Sequence, residues 1–220
     1  MIIDDHPIVR EGLTKIITQE KDLSICGEAG DASSALKMLK NIQPDLLIIN
    51  IVMEGLNGID LTKAIRGQYP DIKILTLSSH KEELYAERAL RSGSNGYINK
   101  QESVKTLMHA IRQVLEGHIY VSEGFNELIL QKLVKPNHQS GVFSIDLLSD
   151  RELEVFQLIG QGYGTRQIAE ELNISMKTVE AHREHIRSKC NFNENFNLVQ
   201  QAIHWVHGVK NNLSKSLKNN

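Results

Sequence analysis

The chain has 220 residues, 40% of them hydrophobic and 24% charged, with a formal net charge of −2. That is room for two modest domains, each with a core, and it excludes a uniformly basic nucleic-acid coat. The charge is uneven: residues 1–120 hold 14 Lys/Arg and 16 Asp/Glu while residues 151–220 hold 9 and 7, so the second half is mildly basic, enough for a local phosphate-binding face.

Two cysteines, Cys26 and Cys190, make no disulfide framework, and no apolar run reaches the ~18 residues of a membrane span. No signal peptide precedes Asp4, so a reduced, cytoplasmic protein without membrane contact is expected. The opening MIIDDHP reads as strand, acidic loop, then a helix that Pro7 suits in its first turn. Leu23 to Cys26 is expected to be a short strand. Asp31 caps a helix to Ile42, with Ala35, Leu36, Met38 and Leu39 at helical spacing. Leu46 to Ile49 is a fully buried strand by its unbroken apolar character, and it breaks at Asn50 into a glycine-bearing turn. Ile59 to Tyr69 is helical, Lys73 to Leu77 a strand, and Glu82 to Arg91 a helix stopped by Gly93. Gly96 to Asn99 is the last strand, and Ser103 to Glu116 a helix stopped by Gly117. Strict alternation of five strands and helices implies an α/β fold, a doubly wound five-stranded parallel sheet with right-handed crossovers.

Such a sheet gathers the polar residues at its strand ends along one edge: Asp4, Asp5, Asn50, Ser78 and Lys100. Carboxylates, a hydroxyl and an ammonium together describe a place for a divalent cation and a phosphoryl group. Taken alone, Asp4 and Asp5 read as a solvated loop capping the next helix; the set of five is the specific signal.

The stretches IIDDHPIVREGL, DLLIINIVMEGLNGID, LTLSSH and GSNGYINK resemble the receiver domain of bacterial response regulators of the NarL/FixJ type, over essentially residues 1–120. The resemblance implies that the acidic pair Asp4 and Asp5 holds magnesium, and that Ser78, the switch aromatic Tyr97 and Lys100 sense a phosphoryl group delivered by a histidine kinase. The phosphoacceptor falls on Asn50, a carboxamide where the family has Asp. Glu54 stands where the family usually has Pro, and the two changes together read as natural divergence. With a carboxylate fewer, magnesium affinity should be much weakened, because hard-cation sites depend on ligand charge. Only Met1 to Ile3 precede Asp4, which reads as a truncated or misassigned start.

Residues 119–146 lose the alternation. Ser122 to Leu133 makes an amphipathic helix with Phe125, Leu128, Ile129 and Leu133 on one side, and Lys135 to Ser144, KPNHQSGVFS, is a flexible linker. The receiver-like domain is thus expected over 1–118, a small all-α domain over 147–210 and a disordered tail over 211–220.

In the second domain Ser149 to Glu152 is a capping box, and Leu153, Phe156 and Ile159 follow at helical spacing until Gly162. Thr165 is expected to cap a helix over Arg166 to Leu172, and Ser175 caps a third through about Cys190. Short helix, tight turn and longer helix form a helix-turn-helix. Val179, His182, Ile186 and Cys190 should face the core, His182 with its polar atoms satisfied. Phe196, Val199, Ala202, Ile203 and Val206 form an apolar stripe on a fourth helix. The pairs His182 with His185 and His204 with His207 stand three apart, with no third metal ligand evident in the sequence.

The stretch LSDRELEVFQLIGQGYGTRQIAEELNISMKTVEAHREHI is similar to the LuxR-type DNA-binding domain that ends NarL/FixJ regulators. The resemblance implies a recognition helix over Lys177 to Arg187 in the major groove of double-stranded DNA. Thr165, Lys177, Thr178, Arg187 and Lys189 would contact phosphates, while Glu180, Ala181, Arg183 and Glu184 are candidates for base edges. In relatives the exposed part of the fourth helix makes a homodimer that reads a palindromic site. The expectation is a DNA-binding transcription regulator, not an enzyme, whose receiver escapes phosphorylation at Asn50. Two other readings stand beside it: phosphotransfer through Asp4 or Asp5, and an interaction protein that titrates a kinase or partner regulator.

Overall fold

The computed structural model describes residues 1–53, 57–80, 82–134, 145–190, 192 and 198–206, and it divides at Asn137/His138 into two compact units. Glu54, the linker expected over 135–144, Phe196, His207 and the tail from 211 lie outside the described residues.

The first unit alternates strands and helices: β1 Ile2–Ile3, α1 Pro7–Ile17, β2 Glu28–Ala29, α2 Ala32–Leu39, β3 Leu46–Asn50, α3 Gly58–Gln68, β4 Lys73–Ser78, α4 Glu82–Arg91, β5 Gly96–Asn99 and α5 Val104–Leu115. A further helix, α6 Glu123–Val134, follows. The strands form a five-stranded sheet in the order β2-β1-β3-β4-β5, every pair parallel, as the alternation predicts.

Period-two side-chain placement divides the core. Leu47 and Ile49 of β3 join Leu61 and Ile65 of α3 and Ala35 and Leu39 of α2, whereas Leu46 and Ile48 join Leu13 and Ile17 of α1 and Leu107 and Ile111 of α5. Helices cover both faces, which is why β3 is apolar without interruption until Asn50.

One strand is displaced from its expected position. Pairing registers Ile2 with Glu28 and Ile3 with Ala29, so Leu23 to Cys26 has no ladder partner and lies outside the sheet. Leu23 and Ile25 serve the core instead, half-buried against the α1 and α5 side. Their apolar alternation marks burial, not pairing.

The second unit holds α7 Asp150–Gly160, α8 Thr165–Glu171 and α9 Met176–Lys189, with residues 198–206 also helical. The capping box opens α7: Ser149 Oγ accepts from Glu152 N and Glu152 Oε2 accepts from Ser149 N. Ser175 caps α9 by accepting from Thr178 N. At α8 the cap moves by one residue. Gly164 is the N-cap and Thr165 the first helical residue, because Gln167 Oε1 accepts from Gly164 N and frees the threonine hydroxyl.

Phe156, Ile159, Ile168, Val179, Ile186, Leu198 and Ala202 close the small core. Gly160 lets the last helix approach: a Cβ there would lie 2.4 Å from Ala202 O. Of the apolar stripe, Ala202 is buried, Val199 and Val206 are half-buried, and Ile203 is exposed.

Candidate functional site

The carboxyl ends of β1, β3, β4 and β5 bring Asp4, Asp5, Asn50, Ser78 and Lys100 to one edge of the sheet. Asp4 and Asn50 are almost wholly buried, at 1% and 4% exposure, so each polar atom there needs a partner. Lys100 Nζ donates to Asp4 Oδ2 at 2.6 Å. Asn50 Nδ2 donates to Asp5 Oδ1 at 3.1 Å and to Val52 O at 2.6 Å, which engages both amide hydrogens. Gly58 makes this closeness feasible, since its N–H donates to Ile51 O and a Cβ would fall 2.0 Å from Asn50 O.

His6 and Arg10 complete the acidic side, and neither was singled out in the sequence. His6 Nδ1 stands 3.2 Å from Asp4 Oδ1 and 2.9 Å from Asp5 Oδ1, and Arg10 Nη1 donates to Asp4 O. Their signal was proximity alone, in DDHPIVR directly after the acidic pair.

Magnesium needs free, anionic oxygens. Asp4, Asp5 and His6 do converge, with one ligand atom of each within 4.8 Å of the others. However, Lys100 sits on Asp4, Asn50 presents an N–H to Asp5, and a carboxamide replaces the third carboxylate. These residues do not fit a tight magnesium site.

On the other side of the pocket Ser78 and Tyr97 are fully buried. Ser78 Oγ accepts from His80 N, and the carbonyl of His80 accepts from Tyr97 OH and from Asn99 Nδ2, both at 2.8 Å. The phenol of Tyr97 therefore points inward and fastens the segment after β4; burial pushes its pKa up. His80 lies over Tyr85 with ring centroids 4.7 Å apart, and burial, then the Lys100 ammonium, pushes its pKa down to about 4. Sequence reasoning missed His80 and Asn99, whose roles run through a backbone carbonyl that no side-chain pattern reveals.

The second site is the outer surface of α9. Lys177, Thr178, Glu180, Ala181, Glu184 and Arg187 are exposed, and Arg183 is partly sheltered. Thr165 Oγ1 donates to Glu180 Oε1 at 2.7 Å, Arg183 Nε stands 3.9 Å from Glu180 Oε2, and Arg187 pairs with Glu184 at 3.1 Å. These acidic residues thus hold the neighbouring cation and hydroxyl in place.

Lys189 differs from the others. It shares a face with His182 and His185 and donates to Glu152 Oε2 at 2.7 Å. His182 is half-buried as expected but not satisfied: its Nδ1 is buried with no hydrogen-bond partner. Burial, with the Arg151 charge nearby, lowers its pKa. The sequence left His182 and His185 without a third ligand, and folding supplies Glu152.

Among the described residues no helix is long and apolar enough to cross a membrane. Residues 1–112 match the response regulator receiver domain family, and residues 146–202 match the bacterial regulatory proteins of the luxR family. The chain is 36% identical over 207 residues to the oxygen regulatory protein NreC of Staphylococcus haemolyticus, a match covering 92% of this chain and 95% of that protein. Among solved structures it resembles a LuxR-family two-component response regulator from Aurantimonas sp., with 30% identity, TM-score 0.57, and 61% of this chain and 96% of that one covered. It also resembles RcsB of Salmonella enterica serovar Typhimurium bound to the P1flhDC promoter in the presence of BeF3−, with 26% identity, TM-score 0.55, and 91% and 95% covered. The chain therefore belongs to the DNA-binding two-component response regulators of the NarL/LuxR type, with a receiver domain followed by a luxR-family helix-turn-helix.

Proposed function

We propose that this response regulator controls transcription without phosphorylation at the usual receiver position. Asn50 carries no nucleophilic carboxylate, so its output is set by protein amount, by dimerisation, or by a signal other than acyl phosphate. The observation that carries this reading is the closed pocket: both Asn50 amide hydrogens, Asp4 with Lys100, and the Tyr97 hydroxyl are all engaged within the chain. By resemblance a phosphoryl group recruits the hydroxyl at Ser78 and the lysine at Lys100; here Ser78 Oγ accepts from His80 N and Lys100 is held by Asp4. A ligand shifts a two-state element only through differential affinity, and the covalent ligand has no acceptor at residue 50.

In this reading the protein works in the cytoplasm as a homodimer on a palindromic DNA site, a two-fold protein matching a two-fold sequence. Solved RcsB structures include dimers bound to DNA, which supports that assembly. Thr165, Lys177, Thr178, Arg187 and Lys189 would meet phosphates, and Glu180, Ala181, Arg183 and Glu184 would face base edges.

The test combines a small acyl phosphate donor, magnesium and intact-mass measurement with promoter binding by the untreated protein. No mass gain at the receiver and tight DNA binding without donor are expected, while Asn50→Asp gains one phosphoryl group. Stoichiometric phosphorylation of the unaltered chain would refute the reading, and mapping it to Asp4 or Asp5 would establish phosphotransfer instead.

A further inference from the structure

We propose that Glu152, His182 and His185 form a binding site for a borderline transition-metal ion such as zinc, joining the first turn of α7 to the recognition helix α9. One ligand atom of each residue lies within 4.8 Å of the others. The two histidines stand three apart on α9 and so share a face, and the carboxylate reaches them from α7.

The two oxygens of Glu152 have divided roles. Oε2 accepts from Ser149 N and from Lys189 Nζ, both at 2.7 Å. Oε1 faces His185 Nδ1 at 3.8 Å, too far for a hydrogen bond.

A second observation is independent of this clustering. His182 Nδ1 is buried and has no hydrogen-bond partner. A buried, unpartnered ring nitrogen is a cost to the fold, and a cation bound to that nitrogen would remove it.

Two imidazoles and one carboxylate are a donor set that zinc takes with about 2.0–2.2 Å bonds, leaving a fourth position for water. Bringing three donors onto one ion requires the cluster to contract by roughly an ångström. His185 can supply that movement, because its side chain is 65% exposed whereas Glu152 is fixed by the capping box. The oxygen-only preference of magnesium excludes it here. Lys177, Glu180, Arg183, Glu184 and Arg187 lie on other faces of α9, whereas Thr178 and Lys189 share the face of the two histidines, so an ion would fasten the helix from behind while leaving the candidate base-reading residues Glu180, Arg183 and Glu184 uncovered.

The experiment uses the full, untagged chain stripped of metal and titrated with zinc chloride, then with cobalt chloride as a spectroscopic substitute. One zinc ion per chain is expected, with a cobalt spectrum indicating nitrogen ligation. His185→Ala alters an exposed side chain and should fold normally; it is expected to weaken zinc binding by about tenfold or more, since even outer partners of metal sites act on that scale. His204→Ala, an exposed histidine on the last helix, is expected to leave the affinity unchanged. Absence of zinc binding, equal binding by the His185→Ala chain, or an equal loss in the His204→Ala chain would each overturn the site.

Discussion

Burial keeps His80 neutral, and this gives the receiver a pH dependence unrelated to phosphate chemistry. Its pKa falls from an ordinary 6.5 to about 4, first through burial and then through Lys100. Between those values the unfolded chain binds a proton that the folded chain refuses. Stability is therefore fully present above the ordinary histidine range and declines as pH falls toward 4, by up to about 3 kcal/mol. Other groups titrate over the same interval, so the measurement is a difference: urea midpoints at pH 7 and pH 5 for the wild type and for His80→Gln. The variant is expected to lose less stability on acidification, and equal losses would show that His80 is not protected. The same residue ties the segment after β4 to β5, since its carbonyl takes hydrogen bonds from both Tyr97 and Asn99.

At the scale of elements, the junction of β3 and α3 holds the carboxamide in place. Gly58 begins α3 with its Cα so close to Asn50 O that a methyl group would fall 2.0 Å from it, and the atom it meets is backbone. Gly58→Ala must push α3 away from the strand end. A loss of about 1–3 kcal/mol is expected, as for overpacked cores, and a urea midpoint unchanged from wild type would contradict the close approach. Most of this architecture was legible in the sequence. The unbroken apolar run of β3 and the capping residues Asp31, Ser149 and Ser175 mark their elements, because these signals are local.

Features that depend on a distant partner were not legible. The position of β2 follows from register with Ile2 and Ile3, not from the apolar character of Leu23 and Ile25. The five pocket residues could be assembled because alternation alone dictates a parallel sheet, whose strand ends meet. Glu152 could not be joined to His182 and His185, because nothing in a sequence says which turn of α7 faces which turn of α9.

For the whole molecule, the DNA contacts proposed for α9 separate into two kinds. Lys177 is exposed at the start of the helix and among the described residues no carboxylate pairs with it, so its ammonium is suited to a phosphate, which carries no sequence information. Arg183 lies farther along, with only 16% of its side chain exposed and Glu180 3.9 Å away. Glu180 in turn accepts from Thr165, so α8 holds the carboxylate that stands near the arginine. A sheltered guanidinium is suited to bidentate reading of guanine, and such a pair discriminates by about 1–3 kcal/mol. Arg183→Ala is therefore expected to flatten the preference among sites differing at one base pair while sparing nonspecific binding. Lys177→Ala should weaken all sequences alike and reduce the salt slope by about one. Both are measured by competition binding over a salt series, using the unphosphorylated full chain. If both variants weaken every sequence equally, Arg183 is a phosphate contact and the specificity of α9 resides in Glu180, Ala181 and Glu184.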